Sequence, residues 1–172
     1  MRLTPLLNVC TGPMKRNTNL QTLSRDHHHG LLLAWKIRQG LKFSADLQII
    51  ADYIAYFSAT ALFPHFEEEE KQILTYLADD DSLKHRTLKD HENISGLIHQ
   101  LASAKEIEPA LLLKIAECVE QHIRFEEREL FPYLEKLLNA SQFSAIGIAI
   151  DLNHQPFEEN FQNEFWRKHA DK

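Results

Sequence analysis

The sequence is short of several things. It holds two cysteines, Cys10 and Cys118, in 172 residues. That is no disulfide framework and fits a reducing compartment, so the expected location is cytoplasmic. Glycine is scarce, at five residues, and alternating β-branched stretches are few, so little of the chain reads as strand. No apolar run approaches the ~20 residues a membrane span needs. The opening segment lacks the apolar core and small-residue cleavage site of a signal peptide, so no membrane is expected as partner. Positive charge is short too. Lys and Arg number 19 against 25 Asp and Glu, a net charge of −6, which argues against nucleic acid as a partner.

What the chain does have is histidine, ten in all, and a segment that occurs twice. Residues 65–77 read H-F-E-E-E-E-K-Q-I-L-T-Y-L and residues 122–134 read H-I-R-F-E-E-R-E-L-F-P-Y-L. Both carry H-x-x-x-E, as His65/Glu69 and His122/Glu126. Residues four apart on a helix share one face, so each copy can aim an imidazole and a carboxylate at one point. A second repeat accompanies the first: Arg25-Asp26-His27 matches Lys89-Asp90-His91.

Apolar spacing predicts four long helices with short connections. The first runs from about Leu20 to Gly40, with Gly40 as its C-cap and Leu23, His27, Leu31, Ala34 and Ile37 inward. The second starts near Ser44 and continues to Leu77, bent by Pro64 just before His65. Asp81 or Ser82 opens the third, which ends near Ala104 and turns Leu88 and His91 inward. Glu108–Pro109 opens the fourth, which carries His122, Glu126, Tyr133 and Leu137. The expected fold is all-α: an up-down-up-down four-helix bundle with an extra short C-terminal helical segment. The divisions are an irregular segment 1–19, the bundle at 20–138, and a helical extension 139–172. In that extension Phe157, Phe161 and Phe165–Trp166 recur at helical spacing and should dock on the bundle, on a protein partner or on a second copy of the chain.

Polar residues break the inward stripe at His27, His65, Glu69, His91, His122 and Glu126. A buried ionised carboxylate costs several kcal/mol unless it is paired or holds a metal. Two metals, each with two His and sharing two carboxylates, would use the set fully. They would leave positions open for a small diatomic ligand such as dioxygen or nitric oxide, or for an oxo bridge. Imidazole suits iron, zinc or copper, and carboxylate bridging favours iron or manganese over structural zinc.

The chain resembles the hemerythrin-like family of HHE cation-binding domains. The resemblance rests on Asp26-His27, on His65-Phe66 with Glu69-Glu70, on Asp90-His91, and on His122 with Glu126-Glu127, in order over residues ~20–138. It implies a non-haem di-iron centre, two Fe per chain, oxo- or carboxylate-bridged. Oxygen-carrying members have a fifth histidine one turn before the third-helix ligand, where this chain has Thr87. That points away from oxygen carriage and toward members linked to iron-centre repair, nitric oxide defence, or iron or oxygen sensing. His27 and His28 compete for the first ligand position. The repeat and the apolar phase favour His27, while His28 aligns with Leu31, Leu32 and Trp35. Glu126 and Glu127 compete likewise. The repeat pairs Glu126 with Glu69, whereas the carriers place this carboxylate five residues after the His.

Two other functions compete. A ferritin-like oxidase needs two E-x-x-H motifs, and no glutamate here has a histidine three residues later. A non-catalytic, metal-dependent regulatory or interaction module would use the aromatic C-terminal tail to bind its partner.

Overall fold

The computed structural model describes residues 16–168. Cys10 and most of the expected irregular segment 1–19 lie outside them. The described residues are helical, with no strand among them. A 3-10 turn at Thr18–Leu20 leads into α1 (Gln21–Lys42), which is followed by α2 (Leu47–Phe57) and α3 (Phe63–Gln72). Next come α4 (Ser82–Ser103), α5 (Pro109–Phe125), α6 (Phe131–Leu137) and α7 (Ala140–Asn153). The α2–α3 and α5–α6 pairs are each one long helix interrupted by a π-helical turn, Ser58–Leu62 and Glu126–Leu130. With α1 and α4 they form the four-helix bundle. No described helix is long and apolar enough to cross a membrane.

Both π turns precede a Phe-Pro pair, Phe63-Pro64 and Phe131-Pro132. Proline has no N–H to donate, and its ring crowds the carbonyl four residues back. The preceding turn widens in response. The N–H of Phe63 donates to Ser58 and that of Phe131 to Glu126, each five residues back. The interruption at Pro64 was expected from the sequence. The one at Pro132 was not, although the same dipeptide signals it.

Other ends follow side-chain chemistry. Asp81 caps α4 by accepting from the N–H groups of Leu83 and Lys84, and Pro109 opens α5. Asn139 and Gln142 form a reciprocal capping box on α7. Asp46, not Ser44, caps α2. Ser44 instead forms the turn, with a φ of 55°. Gly40 is not a C-cap, because α1 runs on to Lys42. A Cβ at Gly40 would lie 2.6 Å from the Phe165 ring, so the glycine is there to let the tail approach. Leu31, Leu88 and Leu137 face solvent rather than the core. On α1, Gly30 and Leu33 take the inward places around Leu31.

The apolar core is split in two. One cluster, including Leu33, Ile54, Phe66, Ile94, Ile115 and Ile123, fills the end of the bundle where α1 finishes. The other, including Leu20, Leu23, Ile73, Phe125, Phe131 and Ile146, fills the end where α1 begins. The polar residues of the inward stripe lie between the two.

The C-terminal extension is helical only to Asn153. His154 turns to extended backbone, with φ −64° and ψ 130°, and Pro156 biases the residue before it away from helix. The remaining chain lies on α1 and α2 as an irregular strap. Phe165 is buried. Lys36, buried on α1, donates to the Tyr53 hydroxyl at 2.8 Å, pairs with Glu159, and lies 3.8 Å over the Trp166 ring. The Tyr56 hydroxyl donates to the Glu158 carbonyl and accepts from the Asn160 N–H. Helical spacing of the aromatics thus serves a non-helical segment. Phe165→Ala would leave a void over Gly40 and should cost about 3 kcal/mol of stability, measured by urea unfolding.

Candidate metal centre

Six side chains meet between the two apolar clusters. They come from α1 (His27), α3 (His65 and Glu69), α4 (His91) and the α5–π junction (His122 and Glu126), and all six are buried. Their ligand atoms form two overlapping groups. His27, His65, Glu69 and Glu126 lie within 4.8 Å of one another, and so do His91, His122, Glu69 and Glu126. Each glutamate therefore belongs to both groups. Glu69 Oε1 is 3.3 Å from His65 Nε2, and Glu69 Oε2 is 3.4 Å from His91 Nε2. Glu126 Oε2 is 3.1 Å from His27 Nε2 and 3.3 Å from His122 Nε2.

These atoms approach one another without hydrogen-bonding. All four imidazole Nε2 atoms and all four oxygens of Glu69 and Glu126 are buried without a hydrogen-bond partner. Buried polar atoms are nearly always satisfied. Eight unsatisfied ligand atoms converging on one space fit a metal site of mixed imidazole and carboxylate character.

His28 lies outside this set. It is exposed, and it faces away from the bundle toward the His29 ring. Its position is one helical step, roughly 100°, beyond His27, which moves it off the inward face. Glu127 is also outside the inner group but remains engaged. His27 Nδ1 donates to Glu127 Oε1 at 2.7 Å, and Ser24 and Arg16 also donate to Glu127.

His91 is held in the same way, while His65 and His122 have a carboxylate nearby without a hydrogen bond to it. His91 Nδ1 donates to Glu70 Oε1 at 2.8 Å. His65 Nδ1 lies 3.4 Å from Asp26 Oδ2, and His122 Nδ1 lies 3.8 Å from Asp90 Oδ2. At His27 and His91 the hydrogen-bonded outer carboxylate on Nδ1 fixes the tautomer and leaves Nε2 as the inward lone pair. Sequence reasoning gave Asp26 and Asp90 no role. The signal was present, since each precedes a histidine in both copies of the repeat. Two aromatic rings fix the imidazole planes: Phe66 stacks on His91 at 3.9 Å and Phe131 on His27 at 5.3 Å.

Charge is balanced locally. Burial alone pushes the His27 imidazole down, but Glu126, Glu127 and Glu69 outweigh it and hold His27 well above its ordinary value. Burial also opposes the charged form of His65, yet Glu69 and Asp26 raise it to about 9. Burial would raise Glu69, but the charge of His65 and the nearness of His27 and His91 keep it well below the carboxylate range. Glu127 is likewise opposed by burial and brought to about 2 by His27, Ser24 and Arg16. A cavity of about 270 Å³ reaches the centre past His27, His65 and His122.

A four-helix bundle with a buried, doubly shared His/Glu cluster defines a class: the bundle proteins that hold metal between their helices. The hemerythrin HHE cation-binding domain family model matches residues 18–134, and the chain belongs to that family of metal-binding domains. No curated protein and no solved structure matches it.

Glu127→Ala should weaken metal binding roughly 10- to 100-fold, whereas His28→Ala should leave it unchanged, as read by metal content after dialysis. A histidine with a raised folded value contributes stability that is complete below about pH 6.5 and lost as pH climbs through that value. The metal-free protein should therefore lose stability as pH rises toward about 9, where His65 titrates. On the acid side, Glu127 should lose its contribution as pH falls from 4.5 toward about 2. Metal binding needs unprotonated imidazoles, so the gap between loaded and metal-free melting temperatures should widen with pH.

Proposed function

We propose that the chain is a non-haem di-iron protein whose centre binds, senses or reacts with dioxygen or nitric oxide, or handles iron. The observation that carries this reading is the set of eight buried, unpartnered donor atoms. His27 and His65 would hold one iron, His91 and His122 the other, and Glu69 and Glu126 would bridge them. Mixed imidazole and carboxylate donors favour iron or manganese over a closed structural zinc site. Bound iron would supply redox chemistry and open positions for a diatomic ligand.

The chain's own residues set the conditions for that chemistry. Outer carboxylates hold the His27 and His91 imidazoles with Nε2 inward, and apolar clusters flank the centre on both sides. Thr87 supports a role other than oxygen carriage. It is fully buried one turn before His91, and its hydroxyl donates to the Leu83 carbonyl at 2.9 Å. No fifth imidazole is available at that position. A cytoplasmic setting, where thiols stay reduced, suits the low cysteine content.

The alternative, a metal-dependent regulatory or interaction module, draws on the C-terminal aromatics. It has less support, because Phe165 is buried in the chain's own core.

Anaerobic metal analysis with optical spectra before and after air tests the proposal. The expected result is about two irons per chain and new near-ultraviolet absorption after air. One zinc per chain would sink the proposal. A His65→Ala/His122→Ala double variant with unchanged metal content would refute the ligand assignment.

A further inference from the structure

A second, smaller cluster lies in the wall of the cavity that reaches the centre. Asp26 of α1, Glu68 of α3 and His154, just past α7, each offer one ligand atom, all within 4.8 Å of one another. His154 Nδ1 is 3.0 Å from Glu68 Oε2 and 3.7 Å from Asp26 Oδ2. All three residues are half-buried and line the same cavity as His27, His65 and His122. Among the described residues, the ion-pair partners of these two carboxylates are imidazoles alone. Asp26 has His65 and His154, and Glu68 has His154. Two carboxylates brought together without a lysine or arginine repel each other. A divalent cation between them removes that cost.

The repeat shows the same corner in a closed form. In the second half of the chain, Asp90 stands where Asp26 does, and Phe125 stands where Glu68 does. There Arg86 places its guanidinium 3.8 Å over the Phe125 ring and 3.9 Å from Asp90. One carboxylate is answered by a fixed cation, and the other is replaced by an aromatic ring. In the first half neither compensation exists. A histidine arrives instead, from a segment beyond the family match at residues 18–134.

We propose that Asp26, Glu68 and His154 form a third cation site, a vestibule through which a divalent metal such as Fe(II) or Mn(II) passes to or from the inner centre. One imidazole and two carboxylates suit these first-row divalent ions. Three partly exposed ligands leave positions for water, which favours exchange over retention. Asp26 links the two sites, since the same Oδ2 lies near His65 Nδ1 and His154 Nδ1. The vestibule stands on its own residues, and only its transit role rests on the inner six holding metal.

The test uses the full chain with its inner centre already loaded and quantified by elemental analysis. Mn(II) is then titrated and the free ion followed by electron paramagnetic resonance. The wild type should bind one further, weaker Mn(II), and His154→Ala and Glu68→Gln should each lose it. Both variants should reach the same final inner metal content, but load it at least roughly tenfold more slowly. A loaded wild type that takes up no further Mn(II), or variants that still bind it, would overturn the site. The cluster would then be a latch for the C-terminal segment. Loading at the wild-type rate in a variant that has lost the extra ion would overturn the transit role. If the inner centre takes up no metal, Mn(II) binding that vanishes in His154→Ala still establishes the vestibule, so the two readings fail separately.

Discussion

Two glutamates buried completely at the middle of a helical bundle set the terms for everything around them. Glu69 and Glu126 have no solvent exposure, and an uncompensated buried carboxylate costs several kcal/mol. The chain answers with four imidazoles, and the imidazoles create a second demand, because each has another nitrogen to satisfy. Glu127 and Glu70 meet it from the surface side at His27 and His91, and Asp26 and Asp90 stand near His65 and His122 at 3.4 and 3.8 Å. The result is a disc of alternating charge, with carboxylates innermost and outermost and imidazoles between. The two apolar clusters above and below it supply the burial energy that holds the disc together.

The wiring of the outer carboxylates explains how two repeats make one site. Asp26 lies beside His65 and Asp90 beside His122, each within its own half of the chain. Glu70 serves His91 and Glu127 serves His27, each across to the other half. One repeat alone would leave its histidines half-oriented and its glutamate short of partners. The centre is thus a property of the pair, and so is the offset against burial that lets Glu69 stay ionised.

Much of this was legible in the sequence because helical phase is arithmetic. The positions of His27, His65, Glu69, His91, His122 and Glu126 on the inward stripe need only a period of 3.6 residues, and capping by Asp81 and Pro109 follows from local chemistry. What phase could not supply was contact between elements. The role of Glu127 depends on where α1 lies relative to α5, and the purpose of Gly40 depends on Phe165, far along the chain. Phase also failed where the chain leaves the helix. The tail aromatics keep helical spacing up to Trp166, but Pro156 and the docking of Lys36 on Trp166 and Glu159 select an irregular path. The second π turn was missed because Pro132 was read within a continuous stripe.

The repeat symmetry makes the departures from it informative. By sequence the two halves of the centre are alike, yet their surroundings differ. On one side Arg86 covers Phe125 and approaches Asp90. On the other, a cavity runs past His27 and His65 to His122, while His91 lies beneath the stacked Phe66 ring. The cavity therefore touches both histidines of the His27/His65 group but only His122 of the other. A symmetric set of side chains thus lies in an asymmetric enclosure, and the C-terminal extension, through His154 and Phe157 on the cavity wall, shapes that difference. The extension is thus part of the site's surroundings as well as a cover for the hydrophobic core.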